Sequence, residues 1–112
     1  MAKRYATENK EIIKEKILRF YEIIKRLYPV KKIILYGSYA KDTTTKESDI
    51  DVGVVIDLPD DTNTIKITSR LFHYASNIDV SIEPLCILWS EYQNCEKGSI
   101  LSEIIKTGVV IA

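Results

Sequence analysis

Gly37–Asp51, GSYAKDTTTKESDID, decides how this chain reads. A Gly-Ser turn follows the apolar run Lys31–Tyr36 (KKIILY), and after a ten-residue spacer Asp49-x-Asp51 opens a second apolar run. A tight turn with a small hydroxyl residue lets backbone N–H groups approach phosphate oxygens. Two aspartates one residue apart on a strand share a face, with Cα atoms about 6.6 Å apart. There they hold divalent cations between protein and triphosphate. The arrangement points to metal-dependent phosphoryl or nucleotidyl transfer.

The second strand is expected over Asp49–Asp57, where Ile50, Val52, Val54 and Ile56 alternate with Asp49, Asp51, Gly53 and Val55. The isoleucine-valine face is committed to a core, and Gly53 is expected to keep the aspartate face open. Two carboxylates on one open face repel unless a cation sits between them. A third strand is expected within Ile78–Leu88, alternating Ile78, Val80, Ile82 with Asp79, Ser81, Glu83. Beside the second strand it would bring Asp79 to the pair as third carboxylate. Glu83 lies on the same face, about 13 Å further along, and is the alternative. Such a site holds two ions roughly 3.5–4 Å apart, one activating the attacking hydroxyl and one holding the triphosphate and leaving pyrophosphate. Lys41 and Lys46 either neutralise phosphate or are solvated surface lysines. His73 has no companion ligand and reads as structural.

Around this centre the chain alternates helices and strands. Thr7 is expected to cap a first helix whose stripe is Ile13, Ile17, Phe20, Ile24 and Leu27, stopped by Pro29. A helical turn is expected from Ser38 to Lys41 and a helix over Ile65–Ala75. Ser90-x-x-Gln93 has the spacing of a capping box. Ile100–Ile105 reads as a last helix closed by Gly108, with Val109–Ile111 as a final strand. With 112 residues the chain is expected to form one domain over 1–112. Sixteen basic and sixteen acidic residues cancel, which argues against general nucleic-acid binding by charge. No apolar run reaches the ~18 residues of a membrane span. The N-terminus has no signal core, and Cys86 and Cys95 read as reduced thiols, so a cytoplasmic location is expected.

ILYGSYAKDTTTKESDIDVGVVID resembles the minimal nucleotidyltransferase branch of the DNA polymerase beta-like nucleotidyltransferase superfamily, whose usual wording is close to GSxARG followed by SDIDL. The leading helix, the later IDV and the closing helix-Gly-hydrophobic tail extend the likeness over nearly the whole chain. The resemblance implies an α/β (α+β) fold, a mixed sheet flanked by helices. It implies a nucleotidyltransferase using ATP and Mg2+, paired as antitoxin with a HEPN-domain toxin. In such pairs AMP passes from ATP onto a tyrosine of the toxin. By position, Gly37 and Ser38, with Lys41, would bind the nucleotide, and Asp49, Asp51 and Asp79 would bind metal. Lys41-Asp42 departs from the usual Arg-Gly: lysine lacks the bidentate fork of arginine, and Asp42 adds negative charge near phosphate.

The leading expectation is therefore transfer of AMP to a hydroxyl of a partner protein, with Asp79 as base. The rival is a non-catalytic antitoxin that neutralises its partner by covering it. Transfer to a small molecule or an RNA end calls for further substrate-binding structure and ranks last. Homo- or hetero-oligomers are compatible with the apolar helix stripes.

Overall fold

Apolar residues recur at helical spacing in some segments and at alternate positions in others, and the backbone follows that division. The computed structural model describes residues 2–37 and 49–112. Among them the order is α1 (Ala2–Ile24), β1 (Val30–Tyr36), β2 (Ile50–Ile56), α2 (Thr64–Ser76), β3 (Ile82–Leu88), α3 (Trp89–Gln93), α4 (Ile100–Thr107) and β4 (Val109–Val110). Ser38, Lys41, Asp42, Lys46 and the expected turn from Ser38 to Lys41 lie outside the described residues. No helix of the described residues is long and apolar enough to cross a membrane.

The four strands form one mixed sheet in the order β3-β2-β1-β4. β1 runs antiparallel to β2 and β4, whereas β2 and β3 are parallel. Parallel neighbours require a crossover, and α2 supplies it. The fold is thus α+β, a mixed sheet flanked by helices, as the resemblance implied. One face packs against α1 and α2 through Ile17, Phe20, Ile24, Ile33, Val52, Val54, Leu71 and Ile82. On the other face Ile34, Val55, Ile87 and Ile104 make a second cluster, with Tyr36, Trp89, Tyr92 and Leu101 packed around it. Lys31 Nζ stands 5.6 Å over the Trp89 ring and Lys32 Nζ 5.8 Å over that of Tyr92.

Packing overrides several local expectations. α1 begins at Ala2, so Thr7 lies within the helix and is not its cap. The helix ends at Ile24, short of the proline, and Leu27 is 51% exposed. Ser90 does not cap α3. It sits inside the helix and its hydroxyl donates to Asp60 Oδ1 at 2.6 Å, while Glu91 Oε1 accepts from the Leu88 N–H. Gly53 does not open its face: a Cβ there would stand 3.1 Å from Ile87 Cδ1. Among the described residues the second cluster covers the far part of that face and leaves its leading end open. Gly108 caps α4 with φ −77°, outside the left-handed region. Glycine is needed there because a Cβ would collide with Ile34 Cγ2 and the Ile104 carbonyl. Pro84 falls on an edge strand, β3, where its missing N–H is tolerated. Further along that edge the Cys86 N–H donates to Thr68 Oγ1 of α2 at 3.0 Å.

Candidate active site

β1 ends where β2 begins, because the two strands are antiparallel. Tyr36 lies opposite Asp51, and Gly37 turns the chain directly beyond it. Gly37 has φ +74°, a conformation that favours glycine, and a Cβ there would collide with the Asp51 carboxylate. The turn and the second aspartate are therefore in contact. Asp49 is exposed and Asp51 partly buried.

On its other side Asp51 pairs with Glu83, not with Asp79. β3 starts at Ile82, four residues later than an alternation from Ile78 implies. The stretch before it is a turn: the Asp79 N–H donates to the Ala75 carbonyl at 3.0 Å and the Ile82 N–H to the Asp79 carbonyl at 3.1 Å. Val80, which the expected alternation set on one face with Ile78 and Ile82, is 83% exposed. The Asp79 carboxylate is already engaged. Lys16 Nζ of α1 donates to Oδ2 at 2.5 Å, and the Ser81 N–H and hydroxyl donate to Oδ1 at 2.9 and 2.5 Å. Those hydrogen bonds, Lys16 first, hold its carboxyl down at about 2. A carboxylate so satisfied is a poor proton acceptor and has little left to offer a metal.

Glu83 is in the opposite situation. Burial, a side-chain hydrogen bond to Asp49 and the charges of Asp49 and Asp51 all push its carboxyl up. Burial and the charge of Asp49 push Asp51 up as well. Tyr36, missed in the sequence, forms the β1 wall; burial first, then Asp51 and Glu83, raise its phenol. Its placement follows from strand parity: on β1 the residue before Gly37 shares the face of Asp51. Asp51 and Glu83, both pushed up in part by neighbouring negative charge, form with Asp49 a field suited to a cation.

Among the described residues no group of three or more histidine, cysteine, aspartate and glutamate side chains is arranged to hold a metal ion by itself. Magnesium is commonly held by one or two carboxylates while phosphates and water complete its shell. All-oxygen donors match a hard cation. A depression of about 540 Å³ bordered by Asp60, Ser90, Glu91 and Glu96 lies at the far end of the sheet, where β3 finishes. It is acidic, an unfavourable setting for a triphosphate.

The nucleotidyltransferase domain family matches residues 17–110. This chain belongs to that family. A candidate protein adenylyltransferase of Methanocaldococcus jannaschii is 37% identical to this nucleotidyltransferase over 93 residues, 76% of this chain and 93% of the relative. A second from the same organism is 32% identical over 105 residues, 90% of this chain and 96% of the relative. The solved structure of a candidate nucleotidyltransferase from Sulfolobus solfataricus superposes with a TM-score of 0.68 at 17% identity, over 94% of this chain and 84% of that one. A toxin-antitoxin structure with AMP-PNP gives 0.53 at 18% identity, over 88% of this chain and 72% of that one. These two likenesses show the fold.

Proposed function

We propose that this nucleotidyltransferase moves AMP from ATP onto a hydroxyl of a partner protein, a tyrosine of a HEPN toxin, and thereby acts as its antitoxin. The observation that carries this reading is the convergence of Asp49, Asp51 and Glu83 beside the Gly37 turn. The candidate protein adenylyltransferases among its relatives support the protein acceptor, and the toxin-antitoxin fold neighbour with AMP-PNP supports toxin and adenine nucleotide.

Asp49, Asp51 and Glu83 are the residues that would hold Mg2+, which when bound neutralises triphosphate charge and favours ionisation of the acceptor hydroxyl. The chain does the rest. The Gly37 turn, with no side chain, lets the polyphosphate approach the backbone. Tyr36 and the second apolar cluster wall the site on the sheet side. Glu83, partly exposed and with raised proton affinity, takes the hydroxyl proton. The acceptor oxygen bonds the α-phosphorus, the bond to the β-phosphate oxygen breaks, and pyrophosphate departs. Ser38 and Lys41 extend the nucleotide site by position in the motif.

An intact-mass spectrum of the co-purified partner tests this, taken after incubation with ATP and Mg2+. The partner should be heavier by whole AMP units with wild type and unchanged with Asp49→Asn/Asp51→Asn. A partner tightly bound but of unchanged mass with both forms would replace transfer with neutralisation by covering.

A further inference from the structure

A parallel pair joined through a helix has no hairpin to set its register. The apolar alternation of β3 fixes parity, because a one-residue slip would turn Glu83 into the core. Parity leaves a two-residue shift open: it keeps the buried face buried and puts Ser81 or Leu85 beside Asp51 in place of Glu83. Something at the point where the crossover re-enters the sheet must hold the position.

We propose that Lys16, Asp79 and Ser81 form a positioning clamp that fixes β3 on β2 so that Glu83 faces Asp51. Asp79 ties together three parts of the molecule. Its Oδ2 holds Lys16 of α1, its Oδ1 holds the N–H and hydroxyl of Ser81, and its main chain closes the turn between Ala75 and Ile82. Ser81 passes the constraint on, since its carbonyl accepts from the Ile50 N–H at 2.8 Å. Ile50 lies between the two aspartates of the motif, and Ile82, the next residue after Ser81, is its register partner. The clamp thus grips β2 at Ile50, within Asp49-x-Asp51, and the chain entering β3 at Ser81, two residues before Glu83. Val80 is 83% exposed, so Ile78 is the apolar contact between this turn and the core. Lys16 and Asp79 side chains are 31% and 19% exposed, so the pair is partly shielded from water. Asp79 is in this scheme a positioning residue that touches neither nucleotide nor metal.

The clamp rests on the proposed transfer site, and its test separates the two. In the full chain, amide hydrogen exchange at Ile50 reports the Ser81 bond, with Val54 as internal reference. Lys16→Met and Asp79→Asn should each speed exchange at Ile50 relative to Val54. Each should also lower Mn2+ affinity, measured with a non-hydrolysable ATP analogue, or kcat, by roughly 10-fold, as loss of an outer support to a metal site does. KM for ATP should stay within about twofold, since the phosphate turn is untouched. The double variant should be no worse than either single one, and Lys16→Arg should restore wild-type behaviour. Ser81→Ala carries the same comparison if Asp79→Asn does not fold. Wild-type exchange at Ile50 in Lys16→Met would overturn the clamp. So would an inactive Asp79→Asn beside a fully active Lys16→Met, which would return Asp79 to direct chemistry. Absence of transfer by the wild type would instead strike the functional reading, while exchange at Ile50 still decides the clamp.

Discussion

Gly37 and Glu83 are the residues on which the proposed site turns. At Gly37 an alanine would meet both a left-handed backbone, costing about 1–2 kcal/mol, and the Asp51 carboxylate. Gly37→Ala is therefore expected to lower stability by about that amount in urea denaturation and to depress transfer more than the stability loss accounts for. Glu83→Gln is expected to lower kcat by about 10²-fold or more, the usual contribution of a positioned base, with nucleotide affinity nearly unchanged in a binding titration. A Glu83→Gln variant that transfers at the wild-type rate would remove Glu83 from the chemistry. The same two residues mark what the sequence disclosed. Gly37 is visible because a turn needing glycine is a local property. Glu83 ranked second to Asp79, because strand alternation was extended backward through a stretch that hydrogen-bonds as a turn.

Elements are held by caps and close approaches more than by propensity. α4 starts at Ser99, whose hydroxyl accepts from the Ser102 N–H at 3.0 Å, and ends where Gly108 presses on Ile34 and the Ile104 carbonyl. Its position matters to the site, because Ile104 joins Ile34, Val55 and Ile87 in the cluster covering the far part of the aspartate face. Gly108→Ala is expected to destabilise the domain by about 1–3 kcal/mol, the usual cost of forcing extra volume into a packed contact. Chemical denaturation checks this, and an unchanged midpoint would mean that α4 shifts freely. Periodicity predicted that β2 buries one face. The second buried face escaped it, because Gly53 reads as open space until Ile87 is seen to fill it.

Charge balance across the whole molecule sets its response to pH. The Asp79 carboxyl, held at about 2 when folded, contributes stability at any pH above the ordinary aspartate value of about 4 and loses it as pH falls through about 2. The stability difference between wild type and Asp79→Asn should thus be constant near neutrality and shrink between about pH 4 and pH 2. Asp51 and Glu83 act in the opposite sense. Their raised carboxyls bind protons better in the folded state, so their protonation adds stability as pH falls from neutral. Denaturation midpoints across this range, for wild type and Asp79→Asn, check the sign. A difference that grows towards pH 2 would contradict the Lys16–Asp79 pairing.

By itself the sequence determined the order of helices and strands, the turn at Gly37 and the family. Each of these rests on spacing within a few residues, where backbone periodicity and side-chain chemistry are written directly. Only the tertiary structure sets Glu83 beside Asp51 and ties Asp79 to Lys16 and Ser81. The register of β3 on β2 is set across a helical crossover, and the partner of Asp79, Lys16, lies 63 positions away. Pairing over such distances depends on how the packed faces of α1, α2 and the sheet settle against one another, and no local pattern encodes it.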